Sequence, residues 1–147
     1  MHSNIDFLKV AGILSFLTAA LHIAIIFGGP EWYRFFGAGQ DAAIQAEQGS
    51  IRLILSTLFL AAIFSIWGLY AWSGSGILSR FPFLRTCLIL ITIVYLARGI
   101  VGFIIPFVTN HPRITQLSIS FMMWSSFICL CFGLVHLKGI LDRWSSL

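Results

Sequence analysis

Charge is the scarcest property of this chain. Only 10% of its 147 residues are charged, against about 25% in an ordinary globular domain. The acidic residues Asp6, Glu31, Asp41, Glu47 and Asp142 all fall outside the long apolar runs, so no carboxylate stands within any of them. A net charge of +4 without a clustered basic stripe excludes a nucleic-acid-binding surface. The cysteines number three, Cys87, Cys129 and Cys131, and none forms a C-x-x-C pair. A disulfide-stapled module and a disulfide-exchange enzyme are therefore excluded. There is no phosphate-cradling Gly-Lys-Ser/Thr loop and no nucleophile elbow. The His, Cys, Asp and Glu residues are not grouped as zinc ligands. Bis-histidine haem needs two histidines at one level, whereas His22 and His136 are expected almost a membrane thickness apart and His2 and His111 fall in a terminus and a loop. No cofactor is expected.

What the chain has in abundance is apolar length: 59% of its residues are hydrophobic. Uncharged stretches of 27 residues separate Arg52 from Arg80, 24 separate Arg113 from Lys138, and 21 separate Lys9 from Glu31. Runs of about 18 or more apolar residues read as membrane-spanning helices. The sequence predicts four: Leu8–Gly28, Leu53–Trp72, Thr86–Phe107 and Ser118–Leu137. The third is interrupted by Arg98, a cost of a few kcal/mol that the Leu and Ile residues on either side offset. Barrel strands would alternate apolar and polar residues, and stretches such as Leu88–Val94 do not. The fold class is all-α, an integral-membrane four-helix up-down-up-down bundle forming one transmembrane domain over residues 1–147.

Four spans bring both termini to one side. Lys9, Arg80, Arg85, Lys138 and Arg143 then face Arg34, Arg52 and Arg113 across the membrane, which predicts cytoplasmic termini. The apolar run after Lys9 is too long for a signal-peptide core, so an uncleaved first span is expected. Trp67, Tyr70, Trp72 and Trp144 are expected at the inner interface, and Trp32 and Tyr33 at the outer one. The long extracytoplasmic loop, 29–50, carries two aromatic pairs around Arg34 and a short helix, Ala42–Gln48, with Asp41 as N-cap and Gly49 as its stop. It reads either as an interfacial anchor or as a lid. A two-plus-two repeat can be argued from Gly68-Leu69 with Gly74 and Gly133-Leu134 with Gly139.

Depth counting at 1.5 Å per residue places His22, Arg98, Ser56, Thr57, Ser125 and Ser126 in one layer. Ala11, Ser15 and Ala19 form a small-residue ridge below His22, and Tyr95, Arg98 and Gly102 share a helix face. Arg98 is the leading candidate, because an intramembrane guanidinium always carries its proton and must find carbonyls, water, an acid from the outer loop or an anionic ligand. Glu31 and then Glu47 are the acids within topological reach. His22 reads as a structural imidazole or as a proton-handling or ligand-polarising group. His136, expected near the cytoplasmic end, reads as a cap on the helix carbonyls or as a side chain facing the headgroups. The candidate ligand-binding set is Arg98, His22, Tyr95, Ser125, Ser126 and Glu31, with no catalytic or metal-ligating residue.

The run Gly29-Pro30-Glu31-Trp32-Tyr33-Arg34-Phe35-Phe36-Gly37-Ala38-Gly39, with Gly68-Leu69-Tyr70-Ala71 and Tyr95-Leu96-Ala97-Arg98-Gly99, resembles small four-span bacterial inner-membrane proteins. The likeness implies a multi-pass protein of the bacterial inner membrane and carries over no activity or catalytic residue. A likeness to DoxX-like membrane proteins is one of size and span number. Small multidrug transporters use a Glu in the first span, and quinone-linked thiol oxidoreductases use paired outer cysteines; this sequence has neither. Two readings remain: a non-enzymatic accessory or lipid- or small-ligand-binding protein built around Arg98 and His22, or a small transporter or quinone-type redox site using the same residues. The expected partners are the bilayer and an anionic lipid or small ligand, and association into a homo- or hetero-oligomer is left open.

Overall fold

A computed structural model describes residues 5–109, 117 and 119–147. It is all-helical, with α1 over Phe7–Phe35, α2 over Gln40–Glu47, α3 over Ile51–Gly74, α4 over Leu84–Val108 and α5 over Ile119–Asp142. α1, α3, α4 and α5 are the four helices long and apolar enough to cross a membrane. The second outer turn, with His111 and Arg113, lies outside the described residues.

The local sequence accounts for where the helices start and stop. The Asp6 side chain caps α1 by accepting from the Leu8 and Lys9 amides at 3.1 and 3.4 Å. α1 is broken at Gly29, whose φ of 68° and ψ of −156° are open only to glycine. Pro30 explains the position, since proline lacks an N–H and disfavours helix in the residue before it. Much of the expected loop is therefore helical, resuming as far as Phe35 and again in α2. The expected cap of α2 is corrected. Gly39 holds the N-cap position, no side chain caps it, and Asp41 lies in the first turn instead. Gly49, with φ 65°, follows the helix as expected.

α1 packs along α3 and α4 along α5, and lesser contacts join the two pairs. The neighbours run antiparallel: Gly12 meets Trp72 while Tyr33 reaches Thr57, and Leu96 meets Gly133 while Gly102 faces Ser126. Small residues permit the close approach. The ridge of Ala11, Ser15 and Ala19 is buried. Gly68 receives Phe16 and Gly133 receives Leu96, so the glycines of the repeat pattern sit at helix contacts in both pairs.

The end of the bundle that holds Phe7 and Asp142 is tied by polar contacts. Arg143 pairs with Asp6 at 2.7 Å, and Lys138 pairs with Asp142. Arg85 donates to the Trp144 carbonyl at 2.9 Å, with its guanidinium 4.5 Å from the indole centroid. Trp67, expected at the interface, instead sets its ring edge-on to Tyr95 at 5.0 Å within the bundle.

Candidate functional site

Arg98 projects from the third quarter of α4 toward α5. Its Nη1 donates to Ser126 Oγ at 3.3 Å and its Nη2 to Ser125 Oγ at 3.2 Å. Ser125 spends its own hydroxyl hydrogen on the Met122 carbonyl at 3.1 Å, which turns an oxygen lone pair toward the guanidinium. Gly102, one turn beyond Arg98, supplies the room, since a Cβ there would overlap both Ser126 Oγ and Arg98 Nη1. The depth layer thus brings Arg98, Ser125 and Ser126 together.

Two hydroxyls do not balance a permanent cation. The guanidinium carries five N–H donors, and the two serines engage two of them. Arg98 is exposed on an apolar sector of the bundle surface, with Val94 and Val101 exposed on its own helix and Trp124 and Phe127 exposed beside its serines. The expected acid partners are corrected. Glu31 and Glu47 both pair with Arg34, each at 2.5 Å. With Asp6 on Arg143 and Asp142 on Lys138, four of the five acids are committed to other cations. Asp41 sits exposed on α2. Among the described residues no carboxylate lies within ion-pair distance of Arg98.

His22 is placed elsewhere. It belongs to the α1–α3 pair, with its ring 5.0 Å from that of Phe64 and Nδ1 2.8 Å from the Thr18 carbonyl. It lines a cavity of about 210 Å³ with Tyr33, Thr57 and Leu60, and Arg98 is not part of that lining. The shared interior space expected for His22 and Arg98 is therefore replaced by two separate sites. Ser56 turns away, donating to the Leu53 carbonyl at 2.8 Å.

Tyr95, grouped with Arg98 by helical phase, points to the bundle centre instead. Its ring stacks on His136 at 5.4 Å and meets Phe132 at 5.7 Å. His136 is fully buried rather than capping the helix end, because α5 continues beyond the expected boundary to Asp142. Both ring nitrogens of His136 are buried with no hydrogen-bond partner among the described residues, and the buried Ser15 and Tyr95 hydroxyls approach each other without a well-formed hydrogen bond. The sequence did carry a signal for this cluster. His136 shares a helical face with Cys129 and Met122, and Met122 is also buried.

Comparisons with protein-family models, curated proteins and solved structures find no match to this chain. No group of three or more His, Cys, Asp or Glu among the described residues could hold a metal ion.

Proposed function

We propose that this multi-pass membrane protein binds the anionic headgroup of a membrane amphiphile at Arg98, Ser125 and Ser126, as a non-enzymatic lipid-binding or accessory protein of a bacterial inner membrane. The observation that carries the reading is the uncompensated guanidinium. It is exposed beside apolar surface, held by two hydroxyls, and among the described residues no carboxylate lies within ion-pair distance of it. A phosphate or carboxylate takes the free donors of the planar fork, and the attached chain lies along the exposed valines and Phe127. Holding a charge in hydrocarbon without a counter-charge costs a few kcal/mol or more, so a bound anion also stabilises the fold.

The test is lipid retention measured by native mass spectrometry from nanodiscs of phosphatidylglycerol and phosphatidylcholine. The wild type should retain the anionic lipid preferentially. Arg98→Leu should lower that retention roughly tenfold, the worth of one charge-assisted hydrogen bond, while the protein stays folded. Arg98→Lys should fall between them, since it keeps the charge and loses the fork. Equal retention by Arg98→Leu and the wild type would overturn the proposal.

The orientation that accompanies it, with both termini cytoplasmic, has its own measurement. Cys introduced at exposed Gln40 should react with an impermeant thiol reagent applied outside, and Cys at exposed Ser79, in the turn between α3 and α4, should not. The reverse pattern would turn the Arg98 site toward the inner leaflet.

A further inference from the structure

We infer a second binding site, independent of Arg98, in the cavity between α1 and α3 under the turn Phe36–Ala38: it accepts a small, largely apolar molecule that presents one hydrogen-bond donor, an alcohol, phenol or amine head. Each hydroxyl and ring hydrogen in the cavity wall has a definite acceptor. Thr57 has one hydroxyl hydrogen, and it goes to the Leu53 carbonyl at 2.9 Å. The 3.0 Å contact between Tyr33 OH and Thr57 Oγ1 must then be donated by Tyr33. Tyr33 is left with oxygen lone pairs only. The His22 contact is fixed in the same way. A carbonyl can only accept, so the hydrogen in the 2.8 Å bond to Thr18 sits on Nδ1. In the neutral imidazole Nε2 is then a bare acceptor.

Among the described residues Nε2 has no hydrogen-bond partner, and it is not sealed from solvent, so it is accessible on a side chain that lines the cavity. The polar groups of the wall are thus all acceptors at the point where a ligand would meet them. Ile25, Phe36, Leu60, Gly37 and Ala38 supply the remaining wall, and the Gly37 and Ala38 amides are already spent on the Arg34 and Tyr33 carbonyls at 3.2 and 2.9 Å. A volume of about 210 Å³ exceeds the roughly 150 Å³ of apolar cavities that take up benzene, so a six-membered ring with one or two substituents fits. A molecule that only accepts hydrogen bonds would set its oxygen against two lone pairs. Selectivity for a donor is built into the tautomer and the hydroxyl rotor.

The probes are 4-fluorophenol and its methyl ether 4-fluoroanisole, which match in ring and fluorine but differ in the donor. Binding is read by fluorine NMR line broadening on the full chain in nanodiscs at mildly alkaline pH, with empty nanodiscs subtracted. The wild type should favour the phenol roughly tenfold, as expected for one hydrogen bond, and His22→Leu should abolish the preference. Thr57→Val gives an opposite sign. It removes the acceptor that occupies the Tyr33 hydrogen, so Tyr33 becomes a donor and 4-fluoroanisole should gain affinity. That variant decides the question even if His22→Leu fails to fold. Equal binding of the two probes by the wild type, binding no greater than to empty nanodiscs, or no gain for the ether in Thr57→Val would each overturn the inference.

Discussion

Leucine in place of Gly133 is expected to cost about 3 kcal/mol or more, the upper end of overpacking penalties. A Cβ at Gly133 would lie 2.6 Å from Leu96 Cδ2 and 3.1 Å from the Leu96 backbone nitrogen. The partner position is its mirror: a Cβ at Gly99 would lie 2.6 Å from Leu130 Cγ and 3.0 Å from the Leu130 nitrogen. Each helix offers a leucine and, three residues on, a glycine, and each leucine fills the other helix's glycine notch. A flexible leucine tip can move aside, but the backbone nitrogen behind it cannot. Gly99→Leu and Gly133→Leu should therefore push α4 and α5 apart, and with them Arg98 from Ser126. Unfolding in detergent mixtures should show a much lower midpoint for both variants. Ala97→Leu, at an exposed position of α4, should leave the midpoint near that of the wild type. A Gly133→Leu protein as stable as the wild type would refute the close approach.

His136→Phe is expected to act in the opposite direction, raising stability by about 1–3 kcal/mol, the cost usually attached to an unpaired buried polar group. Both ring nitrogens of His136 lack partners among the described residues, and the side chain is wholly buried. Phenylalanine keeps the ring that stacks on Tyr95 at 5.4 Å and removes the stranded polar atoms. Tyr95→Phe should stabilise for the same reason by a smaller amount, because it deletes a single hydroxyl. If His136→Phe unfolds more readily than the wild type, the nitrogens are satisfied by water held between Ser15, Tyr95 and His136.

The parts of this architecture that depend on one helix at a time were legible in the sequence. Span limits followed from apolar length, and the observed helices exceed the expected spans by only a few residues at most ends. The largest excess is at the end of α1, where helix resumes after the glycine break. Arg98 meets Ser125 and Ser126 because depth counting works on straight helices of constant rise. What failed depended on rotation and on loop folding. Depth alone put His22 beside Arg98, but their azimuths send one to α3 and the other to α5. Tyr95 and Arg98 are three residues apart, yet that offset of about 60° round a helix separates the bundle centre from its surface. His136 was displaced by ending the fourth span too early. Glu31 and Glu47 were assigned to the wrong arginine, because hydropathy does not report how α2 folds back onto Arg34.

The break at Gly29 also governs how the first helix meets the bilayer. A break frees backbone N–H and C=O groups that hydrocarbon cannot satisfy, so it belongs at headgroup level. From Phe7 to Gly28 the helix rises about 33 Å, close to a hydrocarbon thickness of about 30 Å. It can therefore stand nearly upright. α3 and α5, at 24 residues each, and α4, at 25, rise about 36–38 Å at the same pitch. They match that layer by leaning from the membrane normal or by ending within the headgroups. One glycine thereby gives α1 a shorter unbroken apolar length than the three other long helices of the bundle.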